Sequence, residues 1–188
     1  MVAGYRELGW IAQLPDSWGS KVIAGVVYDL SHLDPFDMKV TPKAEGSPTF
    51  SVRVSFGCHT FTRDLLPTDK PDLFFRDGTE KRAFCTIRHG LSAGLPAMIQ
   101  NAAGGRAFFS ERREFLVLDA EAQGGPYVAF FNMERARNKS HDAAMFVTSA
   151  HCRPGLPKRL PAVTFATLVA AAAVGRKIQR PDRTTQAY

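Results

Sequence analysis

A histidine that shares one parity of an alternating run with two arginines and a serine is where chemistry could start in this chain. From Thr49 to Asp64, Phe50, Val52, Val54 and Phe56 share one parity, and Arg53, Ser55, His59 and Arg63 share the other. Such alternation marks a half-buried strand. If the strand runs unbroken, the polar set lines one face of a sheet. An imidazole can take or give a proton near neutral pH, and arginines can neutralise a phosphate. Metal-independent RNA cleavage needs that combination: a base for the ribose 2′-hydroxyl, an acid for the leaving oxygen, and cations for the charge that develops between them. Gly57 allows a bulge before Cys58 that would re-aim His59. The solvent face of any half-buried strand alternates in the same way, so His59 needs a partner to make a site.

The sequence offers one such partner. Ser149 and His151 share a parity near the end of a later apolar run, after Met145 and Val147. If that run lies beside the first, His59 and His151 form an acid–base pair, with Ser149 a further candidate on the same face as His151. Arg53, Arg63 or Arg106 would then clamp the phosphate. If it does not, Ser149 and His151 are polar residues where a strand leaves the core.

Metal chemistry has less to draw on. Each cysteine has a histidine close by, in Cys58-His59, Cys85 to His89 and His151-Cys152, and a helix would put Cys85 and His89 on one face. No Cys-x-x-Cys pair occurs, and neighbours in a strand point to opposite faces. The expectation is no metal and no cofactor, with the cysteines as small buried apolar residues. Gly104-Gly105-Arg106 and Gly124-Gly125 lack the Gly-Lys-Ser/Thr of a phosphate loop, and no nucleophile elbow, zincin or dinucleotide fingerprint appears.

The net charge is +6 and the isoelectric point about 9.5, which favours polyanionic partners. Arg112 and Arg113 precede a strand, while Arg135, Arg137 and Lys139 sit in a hairpin. Together at one end of a sheet they would make a rim for nucleic acid, RNA included, or for an acidic protein surface. Three cysteines in 188 residues are not a secreted disulfide framework. The N-terminus lacks a signal-peptide pattern, and the most apolar run, Ala162 to Val174, is too short to span a bilayer. These features point to the cytoplasm, with no membrane partner.

The elements that must position these residues read as a single α+β domain over residues 21–176. An irregular lead-in with Trp10 and Trp18 precedes it, and a basic flexible tail over 177–188 follows. The reading has strands at Val22–Leu30 and Phe36–Val40, then the long alternating run to Asp64. A hairpin joins Phe74-Phe75 to Arg82–Cys85. A helix capped by Thr86, with Ile87, Leu91 and Leu95 as its apolar stripe, breaks at Pro96. Three strands, Phe115–Ala120, Tyr127–Arg135 and Ala143–Cys152, follow as an antiparallel meander. Thr164 caps a last helix with Phe165, Leu168 and Ala172 buried and Gly175 past its end. The sheet is mainly antiparallel, with two or three helices on one face.

Ser55 to Arg63 and Asp142 to His151 resemble segments of bacterial proteins from mobile genetic elements, which implies a context and no catalytic residues. The order of helix and then meander is similar to small nucleases of the barnase, colicin and RelE type, whose late strands carry catalytic His, Arg and hydroxyl residues. The expectation that follows is an accessory or regulatory protein that binds through its basic rim. The alternatives are a small toxin-like ribonuclease using His59 and His151, or a zinc-dependent protein.

Overall fold

Short β-branched and aromatic runs separated by Gly- and Pro-rich joins fold into strands, and two apolar helical stretches cover them. The computed structural model describes residues 16–110, 115–119, 125–157 and 159–180. Its strands are β1 (Ser20–Ile23), β2 (Val26–Asp29), β3 (Phe36–Val40), β4 (Phe50–His59), β5 (Thr62–Asp64), β6 (Phe74–Asp77), β7 (Glu80–Phe84), β8 (Arg106–Phe109), β9 (Phe115–Asp119), β10 (Tyr127–Arg135), β11 (Ala143–Cys152) and β12 (Ala162–Thr164). Its α-helices are α1 (Thr86–Ser92), α2 (Leu95–Ala102) and α3 (Phe165–Ala173).

The main sheet has seven strands in the order β12-β8-β9-β10-β11-β4-β3. Every neighbouring pair is antiparallel except β11 and β4, which run parallel. The meander β9-β10-β11 is therefore extended by the earlier strands, in an α+β fold. A separate three-stranded sheet, β5-β7-β6, holds the expected hairpin. Phe56, Phe61, Phe131 and Phe165 are fully buried, and each such ring contributes on the order of 2–3 kcal/mol of burial. Phe165, Leu168 and Ala172 of α3 face this core as the periodicity requires. The Thr164 hydroxyl accepts the Thr167 N–H to start α3, and Gly175, at φ 71°, closes it. Trp18 docks here too, donating Nε1–H to the Phe56 carbonyl at 3.3 Å and meeting Phe61 edge-on. Trp10 lies outside the described residues.

Several elements differ from the sequence reading. The run from Val22 to Leu30 is not one strand but the hairpin β1–β2, because Ala24 and Gly25 both take positive φ, 50° and 76°. Two such residues make the turn that suits a tight hairpin, and alanine at the first position disguised it. The first residue of α1 is Thr86, and its N-cap is Cys85, which makes no side-chain cap. Ile87 is 73% exposed, so the short helix buries Ser92 and packs a half-buried Leu91 on the core before Leu95 starts α2. Ile178 packs on the core, and Arg180 reaches the Ser110 carbonyl at 3.3 Å, so the tail's first residues are docked. Among the described residues no helix is long and apolar enough to cross a membrane.

Candidate functional site

The parallel pair β4–β11 brings the two sequence-selected histidines to one end of the main sheet. Val147 lies opposite Phe56, and Ser149 opposite His59. Two residues of β11 thus match three of β4, and the extra one falls in Gly57-Cys58, where the sequence allowed a bulge. A Cβ at Gly57 would lie 2.9 Å from the Phe146 ring and 3.3 Å from the Thr148 carbonyl, so the close approach of the strands there excludes a side chain. The register also slips between β10 and β11 beside Thr148. That second bulge moves Ser149 and His151 to the face opposite Met145 and Val147, whereas simple alternation kept all four together. Cys58 and Ala150 point into the core, and His59, Ser149 and His151 point away from it. From the strand spacing and rise, the His59 and His151 Cα atoms are about 8 Å apart.

Neither imidazole is idle. His59 Nε2 lies 3.2 Å from Glu80, a residue of β7. Arg82, buried beside it, bonds Glu80 at 2.8 Å, Asp64 at 3.0 Å and the Thr62 hydroxyl at 2.8 Å. Burial and then the Arg82 charge hold His59 below the ordinary histidine value, against the opposing pull of Glu80. His151 stacks on Phe130, and burial followed by the charges of Arg88 and Arg153 lowers it as well. Its Nδ1 is buried without a hydrogen-bond partner among the described residues. Both rings are therefore neutral bases at pH 7. The Cys58 thiol donates to Asp77 at 3.1 Å, and burial pushes its pKa up, so it is not a nucleophile.

The arginines chosen from sequence do not converge on this pair. Arg53 is paired across strands with Asp37 at 2.9 Å, roughly 20 Å up β4 from His59 by strand rise. Arg63 is not on the His59 face, because the chain turns at Thr60-Phe61 into β5 and a different sheet. Its guanidinium grips Asp69 through two bonds, 2.7 and 2.5 Å, and holds that carboxyl down at about 2. Arg106 begins β8, four strands from β4 in the sheet order.

The cation that does reach the histidines is Arg88 of α1. Its Nη1 donates to the carbonyls of His59 at 3.1 Å and Thr62 at 2.7 Å. Arg88 contacts no carboxylate among the described residues. Tyr127, at the start of β10, is 4% exposed, and its hydroxyl lacks a partner among the described residues. Nothing in the sequence marked Arg88, since one arginine on a short helix reads as solvent-facing.

The opposite end of the sheet carries the β10–β11 hairpin. Arg135, Arg137 and Lys139 are exposed there and line an open cleft of about 430 Å³ with His141, Asp142 and Ala173 of α3. None of the three cations has an acidic partner among the described residues. His141 bonds Asp37 at 3.0 Å, and Asp142 accepts the Ser51 N–H at 2.7 Å, which fixes the hairpin base to β3 and β4. Arg176 and Lys177, also exposed, follow the end of α3 at this side. Arg112 and Arg113 lie outside the described residues.

The Cys85–His89 pair gains no further ligands. His89 Nε2 lies 3.1 Å from the Asp29 carbonyl. Among the described residues no three His, Cys, Asp or Glu side chains are grouped to hold a metal ion.

No curated protein and no solved structure matches the chain. A family model does match, over residues 20–173. That span runs from the start of β1 to the end of α3 and includes both ends of the sheet, so the chain belongs to the YjaZ family.

Proposed function

We propose that the protein is a non-catalytic accessory or regulatory protein of bacterial or mobile-element origin, working in the cytoplasm, that binds nucleic acid through the β10–β11 hairpin. One observation carries this reading: Arg135, Arg137 and Lys139 are exposed around one open cleft and none of them is ion-paired among the described residues, the cleft's carboxylate, Asp142, being turned to the Ser51 N–H. Arg53, Arg63 and Arg82, by contrast, each hold an aspartate. Unneutralised cations at the tip of a hairpin suit a phosphate backbone. The cleft lining has no Phe, Tyr or Trp for base stacking, so the expected binding is insensitive to sequence. Gel-shift titration against single-stranded RNA and duplex DNA at low salt tests it. Binding that the triple change Arg135→Gln, Arg137→Gln, Lys139→Gln reduces on the order of tenfold supports the proposal. Absence of binding to both at low salt removes it and leaves an acidic protein surface as the partner.

A second reading has its own support. His59 and His151 share one face of adjacent parallel strands, as a metal-independent ribonuclease would need. Both rings are held below the ordinary value, so an acid–base pair made of them works best on the acid side of pH 6.5, where one can still carry a proton. RNA degradation in EDTA that His59→Ala and His151→Ala each abolish would establish it. Intact RNA, or activity unchanged in His59→Ala, sinks it.

A further inference from the structure

We infer that the hairpin cleft, read as a seat for a nucleic-acid backbone, holds RNA in preference to DNA, with the Asp142 carboxylate accepting a ribose 2′-hydroxyl. This selectivity rests on that reading, since a cleft that takes no backbone has no sugar to select. A site for phosphates alone gains nothing from a carboxylate in its lining, because the two anions repel at contact range. Asp142 is nevertheless in that lining, exposed among Arg135, Arg137 and Lys139. Three bonds at the hairpin base fix its position. Its N–H donates to the Ser51 carbonyl at 2.9 Å, its carbonyl accepts the Ala136 N–H at 3.2 Å, and Oδ2 accepts the Ser51 N–H at 2.7 Å. Oδ1 takes no bond among the described residues. An ionised carboxylate oxygen only accepts, so what it seeks in a ligand is a donor.

The donors that a bound strand can offer are few. Base edges carry N–H groups, but the lining has no Phe, Tyr or Trp to stack a base in place. The group that comes with a cation-held phosphate is the sugar beside it. Only ribose presents an O–H there, and that hydroxyl is what lets a protein tell RNA from DNA. The phosphate oxygens fall to the three cations. The Asn138 amide nitrogen is a further donor to them, its Oδ1 lying 3.2 Å from His141 Nδ1. His141 does not serve as the acceptor in place of Asp142, since its other nitrogen lies 3.0 Å from Asp37. Asp142 is therefore an anionic acceptor set rigidly among donors. Ribose gives it a proton to accept, whereas deoxyribose leaves it facing phosphates with nothing in return.

The test is a fluorescence-anisotropy titration of the whole chain against three single strands at one low salt concentration: RNA, DNA and 2′-fluoro RNA. All three share one sequence without thymine or uracil. The 2′-fluoro strand keeps the ribose pucker and lacks the donor. The expected result is RNA bound about fivefold tighter than DNA, the worth of one hydrogen bond at an exposed site, and 2′-fluoro RNA bound as DNA is. Asp142→Asn keeps the Ser51 bond through its amide oxygen and turns a donor to the ligand. It should tighten DNA binding about twofold by removing a like charge, and erase the preference for RNA. Equal affinity for RNA and DNA, or 2′-fluoro RNA bound as RNA is, overturns the 2′-hydroxyl contact and leaves the backbone reading standing. So does a preference that survives in Asp142→Asn. Failure to bind any of the three strands overturns both.

Discussion

The two ends of the main sheet both hold cations without carboxylate partners among the described residues, yet they hold them in opposite ways. At the hairpin end Arg135, Arg137 and Lys139 are exposed, and the base of the hairpin is pinned by His141 and Asp142. At the far end, about 25 Å away along β10, Arg88 is half-buried and fixed by the carbonyls of His59 and Thr62. Exposed charge acts at a distance and fades within a Debye length of about 8 Å at physiological salt. A half-buried charge acts at contact range and resists screening. One end is thus suited to capturing a long polyanion, and the other to holding a small group in a set geometry.

Substitutions should separate the ends, beginning with the largest effect. Arg88→Leu strands two carbonyls and is expected to cost about 3 kcal/mol in urea unfolding, whereas an equal cost for Arg137→Leu would erase the distinction. Gly57→Ala forces the Phe146 ring and the Thr148 carbonyl aside at the bulge. It should cost about 1–2 kcal/mol and perturb the His59 and His151 proton signals together, while leaving nucleic-acid binding at the hairpin intact.

The pH response comes next and belongs to the histidine end. Folding lowers the pKa of His32, His59 and His151, burial being the largest cause for each. The unfolded chain therefore binds more protons below the ordinary value of about 6.5. Their share of stability is complete above that value and is lost as pH falls through the lower folded values. Denaturation midpoints should drop between neutral pH and about pH 5, and less so in His151→Gln. Arg137→Gln, the smallest effect, should stay within about 0.5 kcal/mol of the parent while weakening polyanion binding.

Much of the frame was legible because periodicity and turn chemistry are local. The alternation of Phe50 to Phe56, the three strands of the meander and the Thr164-capped helix all follow from neighbours in sequence. The site was legible only in part. His59 and His151 could be named, but not their shared face, since the bulge beside Thr148 sets it and alternation alone puts His151 with Met145 and Val147. Arg63 was misplaced because nothing local announces that the strand changes sheets at Thr60-Phe61. Arg88 escaped because its role depends on partners far along the chain. The carbonyls that fix Arg88 are 29 and 26 residues away.

The central claim, that the hairpin end captures a nucleic-acid backbone, is tested most directly by the salt dependence of binding. Affinity for duplex DNA should fall with salt at a logarithmic slope of about −3 if Arg135, Arg137 and Lys139 each meet a phosphate. The slope should flatten toward zero in the triple glutamine variant and stay unchanged in Arg88→Lys. A slope that the triple variant leaves intact would contradict the account and move the binding surface elsewhere on the molecule.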